Sequence, residues 1–142
     1  MILVQKILFL KNVPLFSSMP PNELGYLGHI AEEHIFDTGH KIITQGEHGE
    51  SLYLIVEGKV SITQNGKQVA ELSETDFFGE MSILDGEPRS ASVETLTNCF
   101  ILCISKEDFY GILSRHSEVA LHVIRTLTQR LRQSSTHPPP PQ

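Results

Sequence analysis

Phe77-Phe78-Gly79-Glu80-Met81-Ser82-Ile83-Leu84-Asp85-Gly86-Glu87-Pro88-Arg89-Ser90-Ala91-Ser92-Val93 is the stretch whose reading decides the fold. Two aromatics and a glycine open it. Glu80 starts a short apolar run, Asp85-Gly86 stops that run, and Pro88 keeps it stopped. The pattern predicts a turn or so of helix between two strands. A helix that short is marginal alone, so something besides propensity must justify it. Its N-terminal N–H groups and positive dipole end suit an anion. Arg89 adds a planar fork of donors suited to phosphate oxygens. Ser90, Ala91 and Ser92 are small enough to let a ligand approach the backbone. Taken singly, Arg89 is equally a surface arginine for Glu87 or Glu94, and Glu80 a charge at a helix start. Their order, with the flanking glycines and proline, is what points to a binding loop.

The stretch closely resembles the phosphate-binding cassette of the cyclic-nucleotide-binding domain family, found in catabolite activator proteins, protein kinase A regulatory subunits and cyclic-nucleotide-gated channels. The family pattern is Phe-Gly-Glu, a short apolar helix, a turn, then Pro-Arg-(small)-Ala-x-Val. Here Phe78-Gly79-Glu80, Ile83-Leu84, Asp85-Gly86-Glu87 and Pro88-Arg89-Ser90-Ala91-Ser92-Val93 fill it, with no departure at a polar position. The resemblance implies that Arg89 binds a cyclic phosphate and that Glu80 accepts from the ribose 2′-hydroxyl. It extends the expected ligand-binding set to Phe78, Gly79, Met81, Ser82, Ser90, Ala91 and Val93. It implies cAMP, with cGMP as the second choice, and no separate cofactor. A bacterial member is expected.

The rest of the chain bounds this reading. Its 142 residues suit one domain with one sizeable core. The net charge is −6, so the surface as a whole does not advertise nucleic-acid binding. Residues 1–114 hold 7 Lys/Arg against 16 Asp/Glu, a net −9, and residues 115–142 hold 4 Arg against 1 Glu, a net +3. An acidic body that binds an anion must do so in a local pocket. Cys99 and Cys103 on one strand would stand about 13 Å apart, too far for a disulfide. Two unpaired thiols suit a reducing cytosol. The apolar start, Met1 to Leu10, is interrupted by Gln5 and Lys6 and lacks a basic leader. No signal peptide or membrane insertion is expected, and the location expected is cytoplasmic.

Along the chain, Ile2 to Lys11 reads as an amphipathic helix with Leu3, Ile7 and Leu10 on one side. A second helix starts near Pro20-Pro21 and runs to about Ile30. From His34 to Ile104 short apolar runs alternate with turns. Leu52 to Val56 reads as a strand buried on both faces. Val60 to Thr63 and Gln68 to Leu72 flank Asn65-Gly66, a strong hairpin signal. Many short strands with regular turns mean a sandwich, barrel or jelly roll. Within that class the resemblance implies an eight-stranded antiparallel jelly-roll β-barrel with N-terminal helices, a cassette helix and two C-terminal helices. The expected divisions are 1–30 helical, 31–104 β-roll with the cassette at 77–93, 105–133 helical, and a disordered Pro-rich tail at 134–142. Ser105 should cap the first C-terminal helix and Ser117 the last. Ala120, Ile124, Leu127 and Leu131 recur at a spacing that suits the β core or a partner helix, so a dimer through that helix is a further expectation.

Rival chemistry finds less support. A metal-dependent cupin-like enzyme needs convergent ligands such as His-x-His with a carboxylate. The seven histidines, His29, His34, His40, His48, His116, His122 and His137, form no such pair. No Gly-x-Ser-x-Gly occurs, and neither cysteine has an evident activating neighbour. The expectation is a binding module, not an enzyme. About ten residues follow Arg132, too few for a DNA-recognition helix. A sensor is expected whose effector lies in another domain or another protein. The alternative is the same fold with a degenerate cassette, serving as a protein-interaction module. By alignment with prokaryotic channel members of the family, Arg130 falls where an arginine covers the purine. The last helix, 117–133, is therefore read as a lid.

Overall fold

The computed structural model describes residues 1–136, and the side chains of all of these except Met81, Arg130 and residues 133–136. The expected tail therefore lies largely outside the described residues. Two helices lead, α1 (Leu3–Lys11) and α2 (Pro21–Ile30). Strands follow: β1 (Glu32–Phe36), β2 (Lys41–Ile43), β3 (Ser51–Glu57), β4 (Val60–Gln64), β5 (Lys67–Leu72) and β6 (Phe77–Phe78). Helix α3 (Glu80–Asp85) precedes β7 (Ser92–Thr95) and β8 (Cys99–Ser105), and α4 (Lys106–Arg115) and α5 (Ser117–Thr136) close the described chain. The strands form two antiparallel four-stranded sheets, ordered β1-β8-β3-β6 and β2-β7-β4-β5. This is the expected jelly roll with its helices.

Strand β3 explains the layering. Side chains on a strand alternate between faces. Leu52 and Leu54 join Leu102 and Ile104 of β8 in a cluster with the helices, through Leu10, Phe16, Leu24, Phe109 and Val119. Ile55 turns the other way. With Cys99 and Ile101 it meets Ile43, Val60 and Val93 of the second sheet. The two central strands of that sheet, β3 and β8, are thus buried on both faces, which is why Leu52-Tyr53-Leu54-Ile55 reads as a continuous apolar run. Asn65 and Gly66 take φ of +54° and +80° between β4 and β5, the pair of left-handed residues a two-residue hairpin turn requires.

Several local expectations shift. Lys6, which interrupts the apolar start, donates to the carbonyls of Gly28 at 3.1 Å and Ala31 at 3.2 Å, satisfying acceptors at the end of α2. Ser105 caps α4 as expected, accepting from the Asp108 N–H at 3.2 Å. Ser117 is the first residue of α5 rather than its cap, and α5 runs on past residue 133 to Thr136. The joint at His116 sets the phase of α5, so Val119 and Val123 face the helical core and Leu127 packs beside them. Ile124 and Leu131 are left 59% and 69% exposed, which splits the expected apolar row between core and surface. The His116 ring stands 3.1 Å from Glu23 of α2 and 3.1 Å from Glu118 of α5, so the joint touches an N-terminal and a C-terminal helix. Among the described residues no helix is long and apolar enough to cross a membrane.

Leu54→Ala should remove a fully buried side chain from the helix-facing layer and cost about 2–5 kcal/mol in urea unfolding. A loss below about 0.5 kcal/mol, the range of ordinary surface changes, would contradict burial on both faces of β3.

Candidate functional site

The site begins where β6 ends. Tyr53 pairs with Phe78 and Leu54 with Phe77, which sends the two phenyl rings to opposite faces. Phe77 enters the helix-side cluster. Phe78 enters the space between the sheets and stacks on Tyr53 with ring centroids 5.1 Å apart. Gly79 then turns the chain into α3 at φ +93°. A Cβ there would also lie 2.8 Å from the Ser51 carbonyl and 2.9 Å from Arg89 Nη1, so glycine is required twice over. Gly86 ends the helix in the left-handed region, its N–H on the Ser82 carbonyl at 3.0 Å. Ser82 Oγ donates to the Glu87 carbonyl at 2.7 Å and folds the segment back toward Arg89.

Arg89 is not a surface partner for Glu87 or Glu94. It is 7% exposed, and its guanidinium donates from Nη1 to the Gly79 carbonyl at 2.7 Å and from Nη2 to the Ser51 carbonyl at 3.1 Å. Its backbone is held as well. Arg89 N–H donates to the Glu47 carbonyl at 2.6 Å, and Gly46 N–H donates to the Arg89 carbonyl at 2.9 Å. Burial pulls the guanidinium pKa down, and the neighbouring Tyr53, Glu80, Cys103 and Glu50 oppose that shift. Burial likewise pushes the Tyr53 phenol up, with Cys103 adding to the rise and Arg89 opposing it. Glu80 is 3% exposed at the first position of α3.

Arg89 and Glu80 line a cavity of about 380 Å³. Phe78, Gly79, Glu80, Ser82, Arg89, Ser90, Ala91 and Val93, all expected at a site from the sequence, meet there. Met81 and Arg130, also expected, have side chains outside the described set. Glu80, Ser82, Arg89 and Ser90 of the cassette supply its polar lining, and Ile62, Val69, Ala70 and Leu72 of β4 and β5 add an apolar wall. Such a cavity suits a small ligand with an anionic end and a flat apolar end. The sequence reading missed that wall: Gln68-Val69-Ala70-Glu71-Leu72 keeps no strict alternation, and Val69, 55% exposed, gives no local sign that it lines a cavity. The Tyr110 hydroxyl of α4 was missed too; it donates to the Ile83 carbonyl of α3 and ties the cassette to the C-terminal helices. No short-range pattern reports a contact between residues so far apart in sequence. Among the described residues, no group of three or more His, Cys, Asp and Glu is placed to hold a metal ion.

Comparison with known proteins bears on this geometry. Residues 33–116 match the family described as the cyclic nucleotide-binding domain. The chain is similar to the cAMP-dependent protein kinase regulatory subunit of Debaryomyces hansenii, 36% identical over 106 residues, covering 74% of this chain and 24% of that protein. Its structure is similar to the catabolite activator protein of Thermus thermophilus, with a TM-score of 0.79 and 32% identity, covering 87% of this chain and 61% of that one. It is also similar to the regulatory subunit of a cAMP-independent protein kinase A from Trypanosoma brucei, with a TM-score of 0.81 and 27% identity, covering 94% of this chain and 53% of that one. The chain spans less than two thirds of each of these relatives.

Tyr110→Phe should leave the Ile83 carbonyl without its phenol donor and cost about 1–3 kcal/mol locally. Amide exchange should quicken across residues 80–86 more than in the strands. Unchanged exchange there would show that the phenol does not hold α3.

Proposed function

The chain belongs to the cyclic nucleotide-binding domain family, and from that premise we propose that its cavity binds a 3′,5′-cyclic purine mononucleotide, cAMP ahead of cGMP. The observation that carries the reading is a buried arginine and a buried carboxylate, Arg89 and Glu80, lining one cavity together with an apolar wall from β4 and β5. In this reading the guanidinium N–H groups not spent on carbonyls meet the cyclic phosphate. Glu80 accepts from the ribose 2′-hydroxyl, Ser90 offers a hydroxyl beside the arginine, and the purine lies on the Val69 side. Ser90 suits either purine; the choice of cAMP rests on the absence of the threonine that accompanies cGMP preference in some members.

Occupancy is relayed, in the same reading, by movement of α5, with Arg130 covering the base. No described residue of α5 lines the cavity, and Val119 and Val123 lie in the helical core. Closure therefore needs contacts that exist only in the closed state, and a base contact from the lid supplies one. An arginine plane can stack on a base. The effector is a domain or protein in cis or trans, and exposed Leu121 and Ile124 on α5 offer an apolar edge to a second copy. A second reading is favoured by the Trypanosoma relative, which has this fold in a kinase described as cAMP-independent. In that reading the fold of this chain serves as a protein-interaction module with a degenerate cassette.

Titration calorimetry with cAMP, cGMP and cyclic dinucleotides separates the two. Binding of cAMP is expected, and no binding of any of them at millimolar concentration would leave the interaction module. Arg89→Ala should weaken binding by about 2–5 kcal/mol, roughly thirtyfold or more. Glu80→Ala should cost less, because it faces a neutral hydroxyl, yet it should abolish discrimination against the 2′-deoxy analogue. Equal losses for the two variants would overturn that ranking. Ligand should also slow amide exchange across residues 117–133, less so in Arg130→Ala; equal protection with and without ligand would end the lid reading.

A further inference from the structure

Arg89 has a neighbour that no charge pattern announces. A Cβ built on Gly49 would lie 1.9 Å from Arg89 Cζ, 2.0 Å from Nε and 2.2 Å from Nη2. Three atoms of a planar group at nearly equal distance mean that the missing side chain would point into the face of the guanidinium. Carbon contacts are comfortable near 3.5–4.0 Å, so the overlap amounts to about 1.5 Å. The group lies flat against the Gly49 backbone, with the Gly79 and Ser51 carbonyls at its donors.

The loop cannot easily retreat from the arginine. Its residues Gly46 and Glu47 are hydrogen-bonded to the backbone of Arg89 itself, at 2.9 Å and 2.6 Å. Gln45 N–H is held by Ser92 Oγ at 2.9 Å, and Gln45 Nε2 by Asn65 Oδ1 at 2.9 Å. On the far side, Ser51 starts β3, which is paired with β8 and β6. What can move is the guanidinium, the far end of a flexible side chain. A shift of that size breaks the bonds to Gly79 and Ser51 and takes the cation out of its place in the cavity wall.

We propose that Gly49 is a positioning residue for Arg89: by having no side chain it lets the β2–β3 loop close on the guanidinium and fix it toward the anionic end of the ligand. The consequence for ligand affinity rests on the cyclic-nucleotide reading above; the seat itself does not. The position also sets specificity, since a cation fixed at one point favours a phosphate held at one distance from the 2′-hydroxyl over other anions of equal charge.

The test is a cycle of wild type, Gly49→Ala, Arg89→Ala and the double variant. In urea unfolding, Gly49→Ala should lower the midpoint in the wild-type background and have little effect once Arg89 is alanine, because the overlapping group is gone. In ligand-free protein, the Arg89 Nε–Hε resonance, assigned by its loss in Arg89→Ala, should move toward the free-arginine position in Gly49→Ala. With cAMP, Gly49→Ala should weaken binding about tenfold or more and add less than about twofold to Arg89→Ala. An equal drop in midpoint in both backgrounds, or an Arg89 resonance unchanged by Gly49→Ala, would overturn the proposal. If wild type binds no cyclic nucleotide, the functional reading fails, and the two ligand-free measurements still decide the role of Gly49.

Discussion

The seating of one guanidinium in the wall of the cavity is the constraint on which the site depends. Arg89 is almost wholly buried, and taking a cation out of water is costly unless its donors are met. Here two backbone carbonyls meet them, from Gly79 and Ser51. Carbonyl acceptors carry no net charge, so the site keeps its positive character where a carboxylate directly on the guanidinium would cancel it. Glu80, Glu50 and Tyr53 favour the charged form from further out. Each carbonyl comes from an element fixed for other reasons: Ser51 by pairing with β8, and Gly79 by following β6, which pairs with β3. The arginine is thus placed by the sheet as much as by the loop that carries it.

That division explains what could be read from the sequence. Phe77-Phe78-Gly79-Glu80 and Pro88 to Val93 state their own geometry, because a left-handed glycine, a helix stop and a proline are local constraints. Leu52 to Ile55 states two-sided burial by composition, and Asn65-Gly66 states its turn. The apolar wall and Gly49 were not legible. Val69 on a hairpin looks like any solvent-facing valine until the second sheet is folded over the cassette. Gly49 looks like one more turn residue between Gln45 and Ser51, and its meaning exists only when Arg89, far along the chain, lies against it. The phase of α5 was missed for a similar reason. Ala120, Ile124, Leu127 and Leu131 form a sound helical row, but the joint at His116 rotates Val119 and Val123 inward instead.

The loop 45–50 then has two uses that bear on each other. It places Gly49 on the guanidinium and, through Glu47 and Gly46, it pairs with the backbone of the same arginine. Gln45 joins it to Asn65 at the hairpin tip and to Ser92 near the end of the cassette. Gln64 adds a bond to the Ser90 carbonyl at 3.1 Å. The polar end of the cavity and the start of its apolar wall are therefore one hydrogen-bonded frame. Such a frame is held by bonds that need no ligand, and preorganisation of that kind lowers the ordering cost of binding.

A preformed polar end leaves the question of how occupancy could be felt elsewhere, and α3 is where the two layers meet. Glu80 and Ser82 line the cavity, while Ile83, the next residue, is fully buried among Phe109, Ile112, Val119 and Val123 on the helix side. Tyr110 holds the Ile83 carbonyl as well. In the proposed relay, a helix of only six residues passes a pull on Glu80 or Ser82 on to Ile83. Ile83 sits in a close-packed layer that accepts alternative packings more readily than small compressions. That layer is also the one into which α5 is packed, by Val119 and Val123. The space between the sheets, by contrast, is bounded by paired strands and has little freedom to answer. In the relay proposed above, the Ile83–Tyr110 contact is the carrier from cavity to α5, and the size of the coupling would depend on how differently a ligand favours alternative packings of that layer.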